Sequence, residues 1–187
     1  MTAPPPPRDL DEALALEGEG RSWKYVHFWR HDREPDGSVG RGCLSQWWPV
    51  EFTEDGHRYA SAEHYMMARK ARLFGDADAA ERILAAGHPA EVQRLGRLVR
   101  GFDHATWEAE RFDIVVRGNE LKFGQHRDLR DYLLATGGRV LVEASPRDRV
   151  WGIGLAADDP RAASPRTWRG LNLLGFALMA ARDRLQA

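Results

Sequence analysis

Lysine is scarce in this chain. Of 27 basic residues only Lys24, Lys70 and Lys122 are lysines and the other 24 are arginine, so each primary amine stands out as a chemical group. The single Cys43 rules out an internal disulfide framework and suits a reducing compartment. No apolar run approaches the ~18 residues of a membrane span. The N-terminus, "MTAPPPPRDL", carries prolines where a secretory signal would have a basic and then an apolar region, so a cytoplasmic location is expected, with no membrane partner. A net charge of −1 gives no general pull toward nucleic acid. The seven histidines include no His-Glu-x-x-His or His-x-His spacing, and the one thiol has no thiolate partner, so no metal site and no cofactor are expected. A Gly-x-Ser-x-Gly elbow and a dinucleotide fingerprint are also missing.

What is present is a globular composition, 43% hydrophobic and 29% charged, over 187 residues. That is enough chain for one domain with a real core. Residues 1–20 read as a disordered proline-rich and acidic tail holding at most a short helix, and 21–187 as a single domain. Aromatic and β-branched "WKYVHFW" (23–29) predicts an edge strand, and Asp55-Gly56 between apolar residues predicts a hairpin. Ser61, Asp76 and Asp103 are N-cap candidates, Pro89 suits a first helical turn, and Gly75, Gly87 and Gly101 are stops; together they predict a series of short helices. "RVLVEA" (139–144) predicts a buried strand and "LNLLGFALMAARDRL" a final helix. The expected class is α+β and predominantly helical, with many short helices around a small β-sheet.

Several residues carry chemistry in this pattern. Glu63, Met67, Lys70 and Phe74 share one face of the helix that follows Ser61. Glu63 lies in its first turn, where the helix dipole favours a carboxylate, and Lys70 about 10 Å further along at ~1.5 Å per residue. His64 points about 100° away and reads as structural. "LVEASPRDRVWGIGL" (141–155) ends an apolar strand in Glu143 and then adds Asp148, Trp151, Gly152 and Gly154. Either this is turn chemistry around a core tryptophan, or it is the floor of a binding site. Gly170 and Asn172 open the last helix, where free N–H groups cap the helix or bind an anion.

These pieces occur in an order that resembles the NADAR or YbiA-like family: "LSQWWP", "SAEHYMMARKA", Gly96-Arg97, Lys122-Phe123, "LVEASPRDRVWGIGL" and "WRGLNLLGFALMAARDRL". The likeness spans about residues 24–185. It implies a YbiA-like fold and hydrolysis of N-glycosidic bonds between ribose C1 and an exocyclic amine. The substrate would be a ribosylated pyrimidine phosphate of riboflavin synthesis or, alternatively, ADP-ribose attached to guanine, which is the one way nucleic acid would enter. A non-catalytic nucleotide-binding module is the alternative of another class. By this resemblance Lys70, Glu63, Glu143 and Asp148 are the catalytic candidates. Trp151, Gly152, Trp48, Gln46, Arg97 and Asn172 are the substrate-binding candidates. Two routes stay open, imine formation on Lys70 or an oxocarbenium-like transition state stabilised by a carboxylate. The family usually reads Leu-Ser-Asn-Phe where this chain has Leu44-Ser45-Gln46-Trp47, which leaves the substrate shape there open.

Overall fold

Capping chemistry sets the helices where the sequence places them. In a computed structural model, which describes residues 5–186, Ser61, Asp76 and Asp103 each accept a backbone N–H from the residue three positions on. These caps open α2 (Ala62–Leu73), α3 (Ala77–Ala85) and α5 (His104–Gln125). Pro89 occupies the first turn of α4 (Pro89–Gly96). The remaining helices are α1 (Leu10–Gly18), α6 (Arg127–Ala135) and α7 (Leu173–Gln186), and the strands are β1 (Tyr25–Phe28), β2 (Phe52–Glu54), β3 (His57–Tyr59) and β4 (Val140–Glu143). No helix of the described residues is long and apolar enough to cross a membrane.

The chain forms two compact units, one of residues 46–127 and one made from the chain through Ser45 together with Asp128 onward. The expected α+β, predominantly helical class is observed, with the few strands divided between two two-stranded sheets. The reason is pairing across sequence. Edge strand β1 lies parallel to β4 in the register Tyr25↔Val140 to Phe28↔Glu143, which joins the chain's two ends. Between them, β2 and β3 form the hairpin, with Asp55 and Gly56 both at positive φ (49° and 77°) as a two-residue turn of this hand requires.

In the 46–127 unit α2 is central, burying Glu63, His64, Tyr65 and Met66 on successive faces as well as Ala68 and Ala71. Close approach of α5 depends on Gly118, where a Cβ would come within 2.6 Å of the Tyr65 ring. In the other unit α7 lies on β4. Gly175 is the contact point, because a side chain there would overlap the Leu141 carbonyl. Buried Arg182 of α7 donates to Thr136 Oγ1 (2.7 Å) and to the Arg139 carbonyl (3.0 Å), tying α7 to the end of α6.

The acidic segment, read as part of a disordered tail with at most a short helix, holds α1. Asp9 caps it, Ala13 is buried, and Glu17 accepts from Ser164 Oγ at 2.8 Å and pairs with Arg166 at 3.3 Å. Burial and an ion pair supply what the local sequence lacks. The start of the proline-rich tail, residues 1–4, lies outside the described residues.

Candidate functional site

Within the 46–127 unit, the amine of Lys70 is held by three partners. Its Nζ donates to the Gly96 carbonyl at 2.8 Å and lies 4.4 Å from the Phe102 ring centroid and 5.4 Å from that of Trp107. Gly96 is required for this approach, since a Cβ there would overlap the Met67 sulfur. The Gly96-Arg97 motif is thereby tied to Lys70 through backbone. Burial of the amine pushes its pKa below the ordinary lysine value. Aromatic faces favour the ammonium, and the carbonyl accepts from either form, so desolvation is what tips Lys70 toward the free amine.

Glu63 is 3% exposed in the first turn of α2, and its N–H donates to the Gln46 carbonyl at 3.0 Å. The Gln46 side chain is also buried, and its Oε1 accepts from Asn119 Nδ2 at 3.1 Å. Asn119 Nδ2 also donates to the Val115 carbonyl, which fixes the amide's orientation. The extra methylene of Gln46 is therefore taken up in reaching α5. Trp48 is buried at 1% exposure, whereas Trp47 meets His88 edge-on at 6.0 Å. His64 is structural, with one ring nitrogen against Ser61 Oγ (2.8 Å) and the other against the Ala86 carbonyl (3.0 Å). Arg97 is exposed and donates to Gln93 Oε1 at 3.1 Å.

The other unit holds the 141–155 stretch. Glu143 ends β4 half-buried, and its carbonyl accepts from Ile153 N at 2.9 Å. Asp148 Oδ1 accepts the N–H groups of Val150 and Trp151, each at 2.8 Å, which curls the loop back toward the strand end. Gly152 lets that return pass closely: a Cβ there would meet the Glu143 carbonyl at 2.8 Å and the Asp148 carbonyl at 3.1 Å. Trp151 is half-buried. Asn172 is fully buried, its φ is +54°, and its side chain is committed to β4. Its amide donates to the Leu141 carbonyl (2.9 Å) and accepts from Glu143 N (2.9 Å), completing the edge that β1 does not cover.

Asn119 and Lys122 are buried polar residues that were not singled out as site candidates from sequence. They are each 0% exposed and sit three apart on α5, hence on one helix face. Lys122 Nζ lies 4.9 Å from the Phe123 ring. The signal for Lys122 was available, as one of three lysines and half of the Lys-Phe motif; Asn119 offered none. Among the described residues there is no group of three or more His, Cys, Asp or Glu that could hold a metal ion.

Comparison with known proteins bears on this arrangement. The NADAR domain family matches residues 27–186. An N-glycosidase of Acanthamoeba polyphaga mimivirus is 43% identical over 168 residues, covering 87% of this chain and 97% of its own. A chloroplastic riboflavin biosynthesis protein of Zea mays is 34% identical over 138 residues, covering 70% of this chain and 20% of its own. The solution structure of the Escherichia coli protein YbiA superposes with a TM-score of 0.70 at 26% identity, covering 89% of this chain and 87% of that one.

Proposed function

The chain belongs to the NADAR family and is an N-glycosidase, a hydrolase of N-glycosyl bonds, and we propose that it acts on phosphorylated ribosylamines in which C1 bears the exocyclic amine of a pyrimidine. The riboflavin-pathway name of the maize relative supports that substrate class. The observation that carries the chemistry is the half-buried Lys70 amine with its lowered pKa.

Such a glycosylamine ring-opens to an imine at C1. Free Lys70 Nζ attacks C1, the exocyclic amine leaves with a proton, and an imine between Lys70 and the sugar remains. Water then adds to C1, releasing the ribose phosphate as its aldehyde and restoring the amine. A carboxylate must give the proton to the departing amine and accept one from water. Glu63, on the same helix as Lys70, is assigned this role. Arg97, exposed in the same unit, offers a guanidinium to the substrate's phosphate. In this reading the Gln46–Asn119 bond holds the segment before α2 to α5 where the family usually has asparagine.

The test is product analysis. Purified protein incubated with a ribosylaminopyrimidine 5′-phosphate in EDTA should release the aminopyrimidine and ribose 5-phosphate in equal amounts. Absence of both products, with the substrate intact, would overturn the assignment.

A further inference from the structure

The parallel pair β1/β4 ends at Phe28 and Glu143, and a cavity of about 300 Å³ opens beyond those carboxyl ends. Phe28 and Ala144 are among its lining residues. Ligands of parallel sheets gather outside the carboxyl ends of the strands. Three arginines line this cavity, Arg30, Arg33 and Arg41, against two carboxylates, Asp32 and Glu34. Arg33 donates to the Gly37 carbonyl at 3.1 Å. Arg30 and Arg41 have no ion pair and no side-chain hydrogen bond among the described residues, although ion pairs are common elsewhere in the chain.

The turn-rich loop between β1 and the following 3-10 turn (Arg41–Leu44) is folded so as to present these guanidiniums. Glu34 N donates to the Ser38 carbonyl, Gly37 N to the Glu34 carbonyl, and Ser38 N to Asp36 Oδ1, which fixes the loop on itself. Gly42 lets it return, since a Cβ there would overlap the Asp32 carbonyl; Gly40 does the same beside the Glu34 carboxylate. Glu34 is thereby packed against backbone. His27 lines the same cavity, with its pKa pushed down by burial and by Arg41, the Ala162 carbonyl working the other way. It adds an imidazole to the lining. Trp29, 43% exposed, supplies an indole at the same wall.

We propose that this cavity is an anion site that takes a phosphate or pyrophosphate group through Arg30 and Arg41, beside an indole on which an attached ring can stack. Guanidiniums with uncommitted donors match phosphoryl oxygens in geometry as well as charge. The site lies wholly in the unit of the chain's two ends, and its occupancy does not depend on the reaction assigned above.

Inorganic pyrophosphate is the probe, added to the full-length protein and followed by calorimetry and by the fluorescence of the indoles. Saturable binding of one equivalent is expected, weakened at least about tenfold by Arg41→Ala or Arg30→Ala, as loss of a bidentate contact implies. Trp29→Phe should remove the fluorescence change while leaving the heat. Arg94→Ala deletes an exposed arginine elsewhere and should leave binding as it is. Thermal melts of each variant separate loss of binding from loss of fold. No saturable binding, or equal weakening by Arg94→Ala, overturns the site. The source of the anion follows from kinetics with a ribosylamine phosphate. Pyrophosphate that raises KM alone marks the site as holding the substrate's own phosphoryl group, and pyrophosphate that changes kcat marks a separate ligand.

Discussion

The side-chain amide of Asn172 accepts the backbone N–H of Glu143 at 2.9 Å and so stands in for a strand beside β4. Its other half donates to the Leu141 carbonyl, giving the two-point pairing that a neighbouring strand would supply. The residue pays for this with a left-handed backbone, φ +54°, which asparagine tolerates better than most side chains. Glu143, a catalytic candidate, is thus positioned by a polar side chain in the core.

Asn172→Ala should therefore be strongly destabilising. It leaves a donor and an acceptor of β4 unsatisfied in a buried setting, at about 1–3 kcal/mol each. Together that is about 2–6 kcal/mol, or a fall in Tm of very roughly 5–20 °C for a chain of this size. Thermal unfolding followed by circular dichroism measures it. A Tm within a degree or two of the parent would show that water satisfies those groups and that Asn172 is dispensable for the fold.

Gly96 and Met67 are predicted to be coupled. A Cβ at position 96 overlaps the Met67 sulfur, so Gly96→Ala should cost about 1–3 kcal/mol as an overpacked contact. Met67→Ala makes room, and the double variant should recover at least about 0.5 kcal/mol relative to the sum of the singles. Chemical denaturation of the four proteins closes the cycle. Strict additivity would mean that α2 and α4 simply move apart, and the Lys70–Gly96 bond would then lose its argument for precision.

Acid stability should depend on Asp76. Its carboxylate accepts from the Arg100 guanidinium (2.7 Å), from Arg100 N (2.8 Å) and from Ala79 N (3.3 Å). These hold its pKa well below the usual carboxylate range, with the Arg100 side chain the largest influence. A depressed folded-state pKa contributes stability above the unfolded value of ~3.9 that is lost as pH falls through the folded value. Wild type should exceed Asp76→Asn in stability at pH 7, and the gap should narrow below about pH 4. A gap constant from pH 7 to pH 2 would assign the effect to capping alone.

Local chemistry made most of the elements legible in advance. Ser61, Asp76 and Asp103 are caps in fact because a short oxygen side chain before an apolar run has few better uses. Asp55-Gly56 turns the hairpin for the same local reason. What escaped were facts of long-range pairing. Nothing near Tyr25 says that it pairs with Val140, so the division of the strands between two sheets was hidden. Asn172 read equally as an anion ligand or a cap, and its engagement of β4 depends on a strand 29 residues away. The acidic segment by itself offered at most a short helix, because what anchors α1, Ser164 and Arg166, lies near the other end of the chain. Among the site candidates, helical spacing placed Glu63 and Lys70 on α2 correctly. The aromatic partners of Lys70, Phe102 and Trp107, come from the segment beyond α4 and could not be read from α2.

The final prediction concerns Lys70. Burial lowers its pKa, and the free amine is the reactive form, so kcat/KM should rise with pH and level off below the ordinary lysine value of ~10.4. Borohydride added during turnover should reduce the imine and leave a sugar phosphate on Lys70, located by peptide mass spectrometry. Lys70→Arg keeps a cation against Phe102 and Trp107 but cannot form a useful imine, and it should reduce kcat by more than about 10³-fold. Glu63→Gln should reduce kcat by about 10²–10⁴-fold, the usual range for a general acid–base, without preventing binding. An arginine variant that retains most of its turnover, together with no trapped adduct on the parent, would make Lys70 an electrostatic group. The reaction would then pass through an oxocarbenium-like transition state, with a carboxylate rather than the amine facing C1.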